Sequence, residues 1–324
     1  MLKSVVIAAL ALAAGATAAR AEGAATFPDR TVRLIVAGAP GGNPDVLARL
    51  IAQHMSQAFD KSVIVETIPG SNSVLAARSM TTSAADGYTV MLAESAMLAI
   101  NPALFSDLPY RLSDFAPVAG LVAVPTVLAV PASLGVKTLP DFVSLAKSKP
   151  GLLNYGSGGP GSIHHLTMAV FAARAGLQMT HVPYRGGSAM VNGLLTGEIQ
   201  AGWSGIPNVI ELIASGKLRG LCVSTLQRSP STPQIATCDE LGIKGFNVAT
   251  MMGLVAPAGT SPKIIARLQA ETAKAMREPA MATRMTQLGM VMEENGTANY
   301  AQFIKDDLKR YGQAVSKLHL QAPK

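Results

Sequence analysis

Short apolar runs alternate with longer segments of helical period along most of this chain. Thr31–Val36 is a β-branched run that predicts a strand, and Val46, Leu47, Leu50, Ile51 and Met55 then recur on one helix face. The alternation continues with a strand at Ser62–Glu66, a helix at Ser71–Ser83 and a strand at Tyr88–Leu92. A second series starts near Pro125. It predicts strands at Thr126–Val130, Leu152–Tyr155, Thr180–Tyr184, Ile199–Trp203 and Leu218–Ser224, with helices at Pro140–Lys147, Ser162–Ala175 and Gly187–Thr196 between them. A helix opened by Ser261-Pro262 and a polar-rich one from Asn299 to Leu318 close the chain. Strand–helix alternation of this kind predicts an α/β fold with mostly parallel sheets. Two series without a low-complexity linker predict two lobes joined by crossing strands.

Two glycine-rich loops occupy corresponding places in the two series. One is Gly38-Ala39-Pro40-Gly41-Gly42-Asn43-Pro44-Asp45; the other is Asn154-Tyr155-Gly156-Ser157-Gly158-Gly159-Pro160-Gly161-Ser162. Each follows a strand and enters a helix. Glycine permits close backbone approach, and a helix N-terminus points unpaired N–H groups and a partial positive charge at an anion. Asn43 is placed to cap the first helix, Pro44 suits its first position, and Asp45 falls in its first turn. Ser157 and Ser162 add hydroxyl donors. A tight turn without a ligand is the competing reading of the second loop.

The second loop matches G-x-G-x-x-G, but no Asp or Glu occurs between Ser162 and Gly197, where a ribose-binding carboxylate belongs. His164-His165 are adjacent, so their side chains diverge by about 100° on a helix, and neither Cys nor carboxylate accompanies them; a structural or capping role fits better than a metal. Gly202-Trp203-Ser204-Gly205 lacks the spacing of a nucleophile elbow, and no paired carboxylates stand out. No cofactor, metal or catalytic role is expected. Arg185 is placed either to fork onto a ligand carboxylate or to sit on an exposed loop. Trp203, the single Trp, ends a predicted strand and either faces a cleft or packs in a core.

With 324 residues and 49% hydrophobic content, the chain has ample material for a core. Its basic residues are scattered, which excludes the clustered patch of a nucleic-acid surface. At the N-terminus, Lys3, the apolar run Val5–Ala14 and Ala19-Arg20-Ala21 form an export signal with a cleavage site, so the mature chain is expected to start at Glu22. The formal charge of +7 then becomes +5, because Lys3 and Arg20 leave. A mildly positive exported protein suits an anionic ligand. Cys222 and Cys238 are an even pair in an oxidising compartment; a disulfide and two buried thiols both remain open.

The ordered set of local motifs resembles the substrate-binding receptors of tripartite tricarboxylate transporters, the Bug receptors. It comprises Phe27-Pro28-Asp29-Arg30, Ala39-Pro40-Gly41-Gly42 with Asp45-Val46-Leu47-Ala48-Arg49, Ala85-Asp86-Gly87-Tyr88-Thr89 and Ala99-Ile100-Asn101-Pro102. It continues through Tyr155-Gly156-Ser157, Gly161-Ser162, His165-Leu166, His181–Gly186, Gly216-Lys217-Leu218-Arg219 and Ala256–Thr260. The resemblance covers nearly the whole chain. It implies a type II periplasmic-binding-protein-like α/β fold, with lobe one formed by 22–123 and 227–324, lobe two by 124–226, and a small carboxylate held between them. By position it implies ligand contacts from Gly38, Ala39, Gly41, Gly42, Asp45, Ser71, Asn72 and Ser95 on lobe one. On lobe two it implies Ser157, Gly158, Gly161, Ser162, Tyr184, Arg185, Trp203 and Ser204. It further implies a periplasmic monomer serving membrane transporter subunits, a signalling sensor being the other partner. Departures from the family pattern cluster at the pocket: Gly38 stands in place of Phe, Glu94 in place of a small polar residue, and Trp203-Ser204 in place of Phe-Asp.

Overall fold

The computed structural model describes residues 27–38, 40–69 and 73–317. The expected export signal at 1–21, and the candidate residues Ala39, Ser71 and Asn72, lie outside the described residues. Lobe one starts with β1 (Val32–Val36), α1 (Asn43–Phe59), β2 (Val63–Thr67), α2 (Val74–Thr81) and β3 (Thr89–Glu94). β1 pairs in parallel with β2 and β3, as the alternation predicts. A π-helical turn, Ala96–Ile100, runs on into a short helix, α3 (Asn101–Leu104).

The longest strand, β4 (Phe115–Pro131), belongs to both lobes. Phe115–Pro125 pairs antiparallel with β9 (Ala249–Pro257) in the first sheet. Thr126–Pro131 pairs antiparallel with β7 (Ala201–Gly205) and β8 (Leu218–Val223) in the second. Only the lobe-two half was legible as a strand, because 115–125 is almost uniformly apolar and interrupted by Pro117 and Pro125, so it shows no period of two. The rest of lobe two is α4 (Leu139–Ser148), β5 (Asn154–Ser157), α5 (Ile163–Ala175), β6 (Thr180–Pro183), α6 (Gly187–Thr196) and α7 (Ile206–Ala214). β5 runs parallel to β6 and β7. Lobe one is completed by α8 (Pro262–Met276), α9 (Pro279–Gln287) and β10 (Val291–Asn295), which pairs with β4.

The return to lobe one falls later than the expected position 227. Cys238, Phe246 and Val248 share a buried cluster with Leu128, Phe171 and Trp203 of lobe two, and Ile235 packs with Val127, Met190 and Val223 of the same lobe. The crossing is at Val248-Ala249, where the Val248 amide donates to the Ser224 carbonyl at 2.8 Å. A disulfide between Cys222 of β8 and Cys238 fastens this segment to the lobe-two sheet, with Cα atoms 5.2 Å apart.

The last helix, α10 (Thr297–Lys317), ties the lobes together at the crossover. Tyr300 and Ile304 pack with lobe one, whereas Tyr311 and Val315 pack with lobe two. Asp307, 2% exposed, lies between them and pairs with Arg310, which also donates to the Asn247 carbonyl.

Candidate functional site

The loops that leave the C-terminal ends of parallel strands are where an open α/β sheet presents ligand-binding groups. In lobe one, α1 begins at Asn43 with Gly42 as its cap residue, one position before the expected Asn43 cap. Asn43 therefore takes the first helical position and Pro44 the second. Asp45 supplies the missing side-chain acceptor: its Oδ2 receives the Gly41 amide at 2.8 Å and Arg49 Nε at 2.9 Å. The carboxylate is 2% exposed, and the Arg49 guanidinium holds it below the ordinary Asp range. Gly41 has φ of +77°, which keeps glycine there. Asp45 thus shapes the loop and carries its own negative charge into the helix N-terminus.

In lobe two, several expected ligand groups are used internally. Ser157 Oγ is fully buried, lies 2.7 Å from His181 Nε2 and accepts the Gly159 amide at 3.1 Å. The Gly161 amide donates to His165 Nδ1 at 3.1 Å, and Ser162 caps α5 by accepting the His165 amide at 3.4 Å. The imidazoles of His165 and His181 stack at 3.9 Å, and His181 stacks on Tyr155 at 5.0 Å. Burial, reinforced by His181, pushes His165 down to about 4. The second glycine loop is therefore held from beneath by neutral histidines, so the reading of His165 as a structural residue stands.

Three further expectations are corrected by packing. Trp203 is fully buried; its indole stacks on Phe246 at 5.4 Å and meets Phe171 edge-on at 5.7 Å. It belongs to the core of lobe two and does not face a cleft, and its neighbour Ser204 is equally buried. The Tyr184 ring lies over Gly156 of β5 and Gly193 of α6, so the helix covers it. Burial, with Glu198 beside it, pushes that phenol up to about 12. Ser95, just past β3, is 4% exposed; its hydroxyl oxygen accepts the Met251 amide of β9 at 3.0 Å, and its side chain also hydrogen-bonds Asp307, so it is used internally.

What remains open toward a ligand is a group of helix N-termini. The cap residues of α6 and α7, Gly186 and Gly205, offer no side-chain cap, and neither helix has an acidic residue in its first turn. The two starts are neighbours, because a methyl group built on either Gly187 or Gly205 would meet Asn208 Nδ2, at 3.9 and 3.7 Å. The same construction on Gly158 and Gly187 meets His164, at Nδ1 (3.4 Å) and Cε1 (3.5 Å). His164 Nδ1 is buried without a hydrogen-bond partner, and burial pushes this imidazole down to about 4. Arg185, exposed, precedes Gly186 and makes no ion pair among the described residues. Two uncapped N-termini, one guanidinium, one unpartnered ring nitrogen and one amide provide donors and positive potential without a competing carboxylate. The chemistry of that arrangement suits an anion. His164 and Asn208 were not legible in advance as site residues. His164 reads as half of a His pair, and Asn208 lies between the strands predicted at Ile199–Trp203 and Leu218–Ser224, where the sequence predicts no element.

Among the described residues no helix is long and apolar enough to cross a membrane. Residues 47–320 match the tripartite tricarboxylate transporter family receptor, and the chain belongs to that family. A UPF0065 protein of Cupriavidus necator is 35% identical over 320 residues, covering 97% of this chain and 94% of its own. An R. palustris protein solved with adipate superposes with a TM-score of 0.77 at 28% identity, covering 91% of this chain and 99% of that one. MatC from Rhodopseudomonas palustris, solved with bound malate, gives 0.73 at 30% identity, covering 89% and 100%. The two-lobed architecture is that of the periplasmic solute-binding proteins.

Proposed function

We propose that this chain is a periplasmic receptor that captures a small carboxylate between its lobes and delivers it to the membrane subunits of a tripartite carboxylate transporter. It acts as a monomer after removal of the export signal, and its ligand leaves chemically unchanged. The observation that carries this reading is the pair of neighbouring, uncapped helix N-termini of α6 and α7, flanked by Arg185, His164 and Asn208. The adipate and malate of its relatives are small carboxylates of the kind such a site suits. Gly41, Gly42 and Gly38 supply the facing wall from lobe one. Closure is a hinge motion about Pro125 and Val248-Ala249, favoured by a ligand that touches both lobes.

The test is a thermal-shift and calorimetric screen of carboxylic acids, each paired with its primary amide, with the bound compound recovered and identified afterwards. A binding acid at about 100 times its Kd stabilises the protein by about 2.7 kcal/mol. Acids should bind, their amides should not, and the acid should be recovered intact. Arg185→Ala should weaken binding by about 1.5–3 kcal/mol, the range for a hydrogen bond to a charged group. Equal affinity for acid and amide forms would overturn the reading.

A further inference from the structure

The two walls of the cleft differ in charge. On lobe two the N-termini of α6 and α7 carry no first-turn carboxylate and no side-chain cap. On lobe one the N-terminus of α1 already carries Asp45, bonded to Gly41 and Arg49. Asp45 Oδ1 is buried and without a partner among the described residues.

A second carboxylate stands at the same end of that sheet. Glu94 is the last residue of β3. Val36 of β1 is in register with Leu92, so Glu94 lies level with Gly38, the first glycine of the lobe-one loop. Side chains alternate along a strand. Val90 and Leu92 lie in the cluster shared by Val36 and the α1 residues Leu47 and Ile51, so Glu94 continues the face covered by α1. It is half-buried and makes neither a hydrogen bond nor an ion pair among the described residues. Burial alone pushes its carboxyl up to about 7. A desolvated carboxyl without a donor is costly unless something supplies one. Gly38 beside it has no side chain to cover it, and nothing closer than Pro44 Cγ at 3.4 Å meets a methyl group built there.

We infer that Glu94 selects the end of the ligand opposite its carboxylate, and that this end is an ammonium or another hydrogen-bond donor, so the preferred ligands are amino-carboxylates and not dicarboxylates. The inference rests on the carboxylate reading of lobe two. The polarity of the cleft orients such a ligand: the carboxylate meets the α6 and α7 N-termini, and the donor end meets Glu94. A dicarboxylate of the same length would place its second anion against Glu94 and the Asp45-bearing α1 N-terminus.

Two length-matched sets of compounds test this: butanoate, succinate and 4-aminobutanoate; and hexanoate, adipate and 6-aminohexanoate. Affinities are measured by calorimetry at pH 8 on the wild-type protein and on Glu94→Gln, whose folding is checked by its melting curve. The wild type should bind the amino-carboxylate of at least one set ten times or more tighter than the matching dicarboxylate, a difference of 1.4 kcal/mol. Glu94→Gln should lose most of that ratio. Dicarboxylates bound as tightly as amino-carboxylates by the wild type would overturn the inference and leave the carboxylate reading standing, whether or not the variant folds. An unchanged ratio in a folded Glu94→Gln would overturn it too. Failure of every acid in both sets would remove both readings.

Discussion

His165 Nδ1 accepts the amide hydrogen of Gly161 at 3.1 Å, so the second glycine loop is fastened to the first turn of the helix that it opens. An acceptor at Nδ1 must be unprotonated. The loop geometry therefore depends on a neutral imidazole, and burial keeps it neutral down to about pH 4. The stacked His181 and Tyr155 rings support it from the other side.

Acid should loosen this loop. His165 has a folded-state value of about 4 against an ordinary 6.5, so the unfolded chain takes up its proton first. The stabilisation is complete above pH 6.5 and is lost as pH falls to about 4. Glu94 acts oppositely, its raised value costing stability as pH climbs from 4.5 to about 7. The difference between wild type and His165→Asn isolates the histidine, because Asn keeps an acceptor for Gly161 and does not titrate. Denaturant unfolding at pH 7 and pH 4.5 should show wild type losing on the order of 1–3 kcal/mol more than the variant over this interval. Parallel losses would remove His165 from the acid response.

Gly161 should resist substitution for reasons unconnected with a ligand. Its φ is +74°, and a methyl group there would come within 2.5 Å of Leu104 Cδ1 at the end of α3. Gly161→Ala should destabilise by about 1–3 kcal/mol from backbone strain, with the clash added. Gly161→Ala combined with Leu104→Ala should recover only the steric part. A full recovery in equilibrium unfolding would mean that the backbone is not strained.

Trp203 should report the core of lobe two. Trp203→Ala should cost about 3–5 kcal/mol, as for other large-to-small changes at buried aromatic positions. Emission of the wild type should be blue-shifted in the folded state and move little when a ligand saturates the site. A large ligand-dependent shift, with stability preserved in Trp203→Ala, would return the indole to the cleft.

The Cys222–Cys238 disulfide closes a loop with a sequence separation of 16, which carries the return segment toward lobe one. Replacing both residues by Ala should lower stability by about 3 kcal/mol in the loop-entropy account. Binding should persist once the variant is folded, since neither residue touches the α6 and α7 starts. Unchanged stability would show that Phe246 and Ile235 alone hold the segment.

The sequence by itself determined the local units: Gly187–Thr196 as a helix, a helix starting at Ser162, the parallel pairings of β1 and β5, and the glycine loops at strand ends. These follow from short-range physics, since periodicity, cap chemistry and positive φ are written in neighbouring residues. Tertiary structure alone decided which loop groups stay available to a ligand. Ser157, Ser162 and Gly161 read as donors, yet their hydrogen bonds are taken by His181, Gly159 and His165, partners that fold topology brings together. Trp203 reads as a strand-end aromatic, but Phe171 and Phe246, more than 30 residues away on either side, enclose it. The double membership of β4 was equally hidden, because a uniformly apolar run records burial and not which sheet does the burying. Hydrogen-bond competition and side-chain packing are non-local, and they convert a list of eligible residues into the few that face the cleft.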